Sequence, residues 1–185
     1  MARMKQWRFE PGHSAAEFSV RHMMVTEVRG HFKGVTGRLM FDPTQPESAS
    51  FEAAVETANL WTGDPQRDAH LKSADFLDVP NFPLMTLRSQ SVTLVGPTDA
   101  EVEASITIRG VSRPLKLRVS FLGTWQTPWW EGGVDHGPKT RAGFTGRGHL
   151  NRQDFGVSWN AALDRGGIVV GNNVEMTLDA EAILE

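Results

Sequence analysis

The chain has 185 residues, a formal net charge of −3 with both signs interspersed, and no cysteine. That balance gives no electrostatic footprint for nucleic acid. No apolar run approaches a membrane span, so stable membrane insertion is not expected, and the lack of thiols excludes disulfides, thiolate metal sites and a cysteine nucleophile.

The length suits a single domain, residues 1–185, able to close a core or enclose a cavity. The first residues, MARMKQWRFEPGHS, carry basic groups without an apolar segment behind them. The expected location is therefore cytoplasmic, or periplasmic or secreted only if a leader has been removed. Ten phenylalanines and six tryptophans without a single tyrosine make the aromatic surface mostly apolar.

From the N-terminus onward the chain alternates apolar and polar residues. AAEFSVRH puts Phe18 and Val20 on one face, and GRLMFD does the same with Leu39 and Phe41. SFEAAVETANL sets Phe51, Ala53, Val55 and Thr57 against Glu52, Ala54 and Glu56. In EVEASITIRG the aligned residues are Val102, Ala104, Ile106 and Ile108; in PLKLRVSFLG they are Leu115, Leu117, Val119 and Phe121. AGFTGRGHL keeps Ala142, Phe144 and Leu150 in phase, and VEMTLDAEAIL closes with Val174, Met176, Leu178 and Ala180. Period two marks strands with one buried face, and the stretches GVTG, DPTQPES, VGPTD, RGVSRP and DRGGIVVGN separate them as turns. So many half-buried strands with almost no helix between them predict an antiparallel sandwich or barrel.

Two features favour the barrel. Several strands reach about 9–11 residues, roughly 30 Å at ~3.3 Å per residue. Their inward faces also mix large residues with Ala53, Ala104, Gly146, Gly148 and Ala180, which line a space without filling it. The competing reading is a filled barrel in which large and small residues pair across the core. The expected cavity lining is Phe18, Val20, Phe32, Phe41, Phe51, Ala53, Val55, Ile106, Ile108, Leu117, Val119, Phe121, Phe144, Trp159, Met176 and Leu178. A one-residue slip at any bulge would invert a strand.

One stretch departs from the pattern. TGDPQRDAHLKSADFLDVPNFP, from Thr62 to Pro83, predicts a helix from about Pro65 to Asp75 with Asp64 as its N-cap. Asp68 and Lys72 form an i, i+4 pair in the favourable order, and VPNFP predicts an extended exit. Leu71, Ala74 and Phe76 supply an apolar underside, so the helix is expected to cover the barrel as a lid or plug. Arg67, His70, Leu71 and Phe76 are candidates for lid or head-group contacts.

Reactive chemistry is sparse. Asp68 and His70 are two apart and leave a helix on different sides, and no nucleophile elbow, phosphate loop or dinucleotide fingerprint occurs. The six histidines show neither H-E-x-x-H nor H-x-H, so no metal or other cofactor is expected. In NRQDFG, Arg152 and Asp154 can share one face of a strand at a bulge or bend. Arg152 is then either a head-group contact or half of a structural ion pair. The tryptophans of TPWWEGGVDHGPKT, Trp129 and Trp130, fit a partner interface or a flap over one barrel end.

Four stretches in register, HSAAEFSVRHMMVTEVRGHFKGVTGRLMFDP, TGDPQRDAHLKSADFLDVPNFP, ITIRGVSRPLKL and AGFTGRGHLNRQDFGVSWN, resemble the signatures of the YceI-like family. The match runs from about Trp7 to Ala182. The usual FFDV of the family stands here as Phe76-Leu77-Asp78-Val79, and its LT before the IRGV turn is replaced by Ser105-Ile106-Thr107-Ile108. The resemblance implies an all-β, extended eight-stranded antiparallel β-barrel of lipocalin-like architecture with a short helix inserted between strands. It also implies a deep apolar pocket for a long-chain amphiphile such as a polyisoprenoid, an isoprenoid quinone or a fatty-acid-like lipid, and a homodimer.

The expectation is carriage or storage of such a lipid without chemistry. Two other classes stay open: an enzyme or isomerase acting on the same lipid with His70 or His22 as base, and a structural barrel that presents loops to a protein partner.

Overall fold

A computed structural model describes residues 4–185. Its strands are β1 (Lys5–Phe9), β2 (Ala15–His22), β3 (Thr26–Lys33), β4 (Thr36–Phe41), β5 (Ser50–Glu56), β6 (Leu60–Trp61), β7 (Leu84–Leu94), β8 (Asp99–Ile108), β9 (Val111–Thr127), β10 (Trp130–Glu131), β11 (Val134–Asp135), β12 (Lys139–Asn151) and β13 (Val170–Leu184), with one α-helix, α1 (Pro65–Lys72), between β6 and β7. The order β1-β4-β5-β7-β8-β9-β12-β13 closes on itself through β1 and β13 as an eight-stranded antiparallel barrel.

Of the remaining strands, β2, β3 and β6 continue three of these walls, and β10 and β11 pair with each other as a separate two-stranded sheet. β1 and β2 follow one another along the same edge of β13, β1 against Ala182–Leu184 and β2 chiefly against Val174–Asp179. β3 pairs with β2 and β6 as β4 pairs with β1 and β5. Each wall is broken once: at the 3-10 turn Pro11–His13, at Gly34-Val35, and at the 3-10 turn Thr57–Asn59. The breaks are stitched side by side. Val35 N donates to Ser14 O at 3.3 Å, and Asn59 Nδ2 donates to Lys33 O at 2.9 Å. Counted with their continuations, the walls run in sequence order, an up-and-down barrel closed through β1 and β13.

In such a meander the turns alternate between ends. One end carries the Met23–Val25 turn, α1, the Arg109-Gly110 turn and residues 152–169. The other carries the start of β1, the end of β13 and the loops 42–49, 95–98 and 128–138. The two-residue Arg109-Gly110 turn has both residues left-handed (φ 50° and 71°), the geometry that matches strand twist in a hairpin. Pro114, in the RGVSRP stretch, lies inside β9 and not at its first position. It is the fourth, at a stretch where β9 pairs with β8 and β12 has not yet joined it, so its missing N–H costs no ladder bond.

The second end is partly plugged. Trp7, Phe9, Leu39, Phe41, Ala142 and Ala182 form a buried cluster there, and Phe41 meets Phe121 and Phe144 edge-on at 5.1 and 5.2 Å between ring centroids. Phe121 and Phe144 pair across β9 and β12 next to a bulge at Gly143.

The helix is shorter than the sequence predicts and ends at Lys72, where Ser73 Oγ donates to the carbonyl of His70 at 2.7 Å. Asp64 caps it, accepting from the amides of Gln66 and Arg67 at 3.0 Å each. The expected extended exit is instead a turn. Asp78 adopts φ 50°, its carbonyl takes the amides of Asn81 and Phe82, and its carboxylate takes Asn81 Nδ2. An aspartate that bonds locally tolerates the left-handed region, and here that outweighs the stiffness of Pro80 and Pro83.

Candidate functional site

The barrel is hollow. A cavity of about 490 Å³ runs between its ends, inside the roughly 300–1,000 Å³ range of small-molecule sites. Every wall contributes inward residues at period two: Phe18 and Val20 from β2, Phe32 from β3, Phe41 from β4, Phe51, Ala53 and Val55 from β5, Ile106 and Ile108 from β8, Leu117, Val119 and Phe121 from β9, Phe144 from β12, and Met176 and Leu178 from β13. β7, which the sequence reading left unused, adds Met85, Leu87, Val92 and Leu94. Its phase is hidden by a register shift between Ser89 and Ser91. That bulge carries the alternation from odd to even positions, and no fixed period finds it.

Trp159 is the exception among the expected lining residues. It does not reach the cavity but packs behind its closed end, 5.4 Å from Phe76 and 4.8 Å from His70 between ring centroids. Residues 156–161 are irregular rather than strand, so alternation says nothing about where this side chain points.

The two ends differ. At the helix end the lining residues Phe76, Arg152, Phe155 and Val157 are buried, with Leu71 and Leu77 beside them. At the other end Pro43, Leu94, Pro97 and Thr98 line the cavity and are exposed, Leu94 by 44%. The opening therefore lies between the 42–49 and 95–98 loops, in the sector that the Trp7–Phe41 cluster leaves unplugged. The helix seals the opposite end. One rim loop is pinned by Asp42, which accepts from Thr44 Oγ1 at 2.7 Å and from Thr44 N at 2.9 Å. The hydroxyl bond, then the amide bond, holds this carboxyl below its usual range.

The polar residues of the helix segment serve the fold. Arg67 Nε donates to Thr62 Oγ1 at 2.7 Å and its Nη2 to Thr62 O at 2.9 Å. Asp68 accepts from Thr62 N at 3.0 Å and from its hydroxyl. The expected Asp68–Lys72 pair does not form, because Thr62 at the end of the β6 wall takes the carboxylate instead. Arg67 and His70 do not line the cavity; Leu71 and Phe76 do. His70 Nε2 lies 2.9 Å from Asp75 Oδ2, a half-exposed pair whose ring stands edge-on to Phe76 and Trp159. Sequence reasoning missed Asp75 as the partner because Asp75 follows the helix, in the turn beyond Ser73.

NRQDFG is not a strand. Arg152–Phe155 is a 3-10 turn, capped by Asn151 Oδ1 on Gln153 N at 3.0 Å and ended by Gly156 at φ 71°. Arg152 is 4% exposed and lines the closed end. It donates from Nε to Gly171 O at 2.8 Å, from Nη1 to Val157 O at 2.6 Å and Trp159 O at 2.9 Å, and from Nη2 to Val170 O at 3.1 Å. The expected ion pair with Asp154 is absent. Asp154 is exposed, and a 3-10 turn separates residues i and i+2 in direction where a strand would align them. Burial pulls this guanidinium below its ordinary value.

On the outer wall the structure joins residues that the sequence scatters. Glu10, His13 and Glu181 bring ligand atoms within 4.8 Å of one another. Arg141 Nη1 already lies between the carboxylates, 3.2 Å from Glu10 Oε2 and in contact with Glu181 Oε1. A cation would have to displace that guanidinium. Trp129 covers Arg141 at 5.3 Å on the outer wall, while Trp130 is exposed.

An up-and-down barrel with a sealed end, an open rim and an apolar interior defines a lipocalin-like barrel with an internal binding cavity. Residues 7–182 match the YceI-like domain, and the chain belongs to that family. It is 34% identical over 179 residues to a UPF0312 protein of Pseudomonas fluorescens, covering 94% of this chain and 83% of that one. Among solved structures it resembles BcnA of Burkholderia cenocepacia (TM-score 0.72, 20% identity, 91% and 95% of the two chains). It also resembles a YceI protein of Campylobacter jejuni (0.71, 21%, 89% and 90%). A third likeness is to a polyisoprenoid binding domain from Saccharophagus degradans implicated in plant cell wall breakdown (0.66, 10%, 98% and 99%).

Proposed function

We propose that the protein binds a long-chain amphiphile in the barrel and carries or stores it without altering it. The observation that carries this reading is the apolar cavity, sealed by α1 and open at the 42–49 and 95–98 rim. Each buried methylene contributes about 0.8 kcal/mol, so a tail of ~20 carbons gains roughly 16 kcal/mol before ordering costs. Tight binding of this kind needs no reactive group. The lipid classes that suit it are a polyisoprenoid, an isoprenoid quinone or a fatty-acid-like chain. The first of these accords with the polyisoprenoid binding domain of similar fold.

The test is to extract the purified protein with organic solvent and identify the released molecules by mass spectrometry. A stoichiometric long-chain lipid is expected; an empty extract from protein that also fails to take up added lipid would overturn the reading. A second reading, a lipid-modifying enzyme, rests on the His70–Asp75 pair at 2.9 Å. Incubation with the extracted lipid decides between them: time-dependent conversion that His70→Ala abolishes would establish the enzyme.

A further inference from the structure

Arg152 carries a buried positive charge that the fold does not neutralise. Among the described residues no carboxylate lies within salt-bridge distance of it. Its partners are four backbone carbonyls, from Val157, Trp159, Val170 and Gly171. A guanidinium has five N–H donors; four are used, which leaves one, on Nη2. Carbonyl dipoles satisfy hydrogen bonds but carry no net charge, and a buried cation without a counter-ion is costly.

Among the described residues, no carboxylate on the inner faces of the strands matches this charge. Glu17, Asp99 and Asp179 border the cavity at strand positions that alternate outward where Phe18, Ala100 and Leu178 turn inward, while Arg152 is the one cation among the described lining residues and sits at the sealed end. Asp99, beside the opening, is bound by Ser120 Oγ at 2.6 Å. An anionic group is therefore favoured at the floor, beside the guanidinium.

We infer that Arg152 anchors the anionic end of the bound chain, and that the cavity selects a long-chain monocarboxylate held carboxylate-inward with its tail toward the rim. This rests on the lipid-binding reading above and narrows it. One unused N–H and one unit of positive charge match one carboxylate. A phosphate or diphosphate end group would bring more charge and more acceptors than this site has donors. A carboxylic acid can also cross the apolar interior as the neutral acid and ionise on reaching the guanidinium; a phosphate ester cannot at neutral pH.

The experiment compares oleate with oleyl alcohol, equal in chain and different only in the end group, by calorimetric titration of lipid-free protein at pH 7.5. Farnesyl phosphate and a neutral prenylquinone serve as further probes. Oleate is expected to bind at least tenfold more tightly than the alcohol and more tightly than farnesyl phosphate. Arg152→Gln should remove the preference by weakening oleate and leaving the alcohol unchanged, and Arg152→Lys should keep part of it. Equal affinity for acid and alcohol in the unaltered protein overturns the inference, whether or not the variants fold. So does a preference for the phosphate. If the alcohol or the quinone still binds, the lipid-binding reading stands without it. If none of the four probes binds, that reading itself falls. With [1-13C]oleate, a bound carboxyl carbon that stays ionised below the pH where the free acid protonates gives independent support; one that titrates like the free acid counts against the anchor.

Discussion

The indole Nε1 of Trp7 donates to the main-chain carbonyl of Phe41 at 2.9 Å, inside the cluster that closes one sector of the barrel's open end. Trp7 is 1% exposed, so no water replaces this bond if it is lost. Trp7→Phe leaves a buried carbonyl without its partner and is expected to destabilise the protein by about 1–3 kcal/mol. Urea unfolding measures this. An unchanged midpoint would mean that the cluster repacks without needing the bond.

Gly146 is a better place than the packed walls to block the cavity. A Cβ there would meet Leu178 Cβ at 3.6 Å and Val119 Cγ2 at 3.7 Å, ordinary contact distances, and the residue lines the cavity. Gly146→Leu adds four carbons where ligand methylenes would lie. At ~0.8 kcal/mol per displaced methylene, lipid affinity should fall by roughly 3 kcal/mol, on the order of 100-fold. The melting temperature should hold or rise, since a side chain that packs in a strand replaces glycine. Undiminished affinity in the folded variant would place the ligand elsewhere.

The sealed end should respond to its contents. Leu71 and Phe76 line the cavity, whereas most of α1 is exposed or half-exposed and has no fully buried residue. A segment so thinly packed opens more readily than the barrel. Amides from about Gln66 to Phe76 are expected to gain hydrogen-exchange protection when oleate or the extracted lipid binds. Equal protection with and without lipid would make α1 a fixed clasp.

The helix cap sets a pH dependence. Asp64 accepts the amides of Arg67 and Gln66, and the Arg67 bond foremost holds its carboxyl below the ordinary 3.8. Because the folded value is the lower one, the cap stabilises α1 fully above that ordinary value and is lost as pH falls through the depressed one. The Gln66 and Arg67 amide resonances should therefore shift with a midpoint below 3.8, and Asp64→Ala should abolish the transition. A midpoint at or above 3.8 would mean the cap does not form in solution.

What the sequence by itself determined is the wall of this protein. Where a strand is unbroken, side-chain direction follows position alone, so β8 and β13 declare their inner faces: Val102, Ala104, Ile106 and Ile108, and Val174, Met176, Leu178 and Ala180. The cap at Asp64 and the Arg109-Gly110 turn are equally local, because their causes lie within a few residues. Tertiary structure decided the rest. The β7 bulge at Ser89 shifts its inner face from Leu87 to Val92, and no single-strand pattern announces a register change imposed by a neighbour. Trp159 turns away from the cavity because residues 156–161 follow no period. His70 finds Asp75 across a helix end, and Asp68 serves Thr62 instead of Lys72. Above all, Arg152 and Asp154 look like an ion pair in sequence and are none in space. Whether a buried charge is neutralised depends on groups from β13 and from residues 157–159, which only folding brings to it. Spacing along the chain cannot encode that sum.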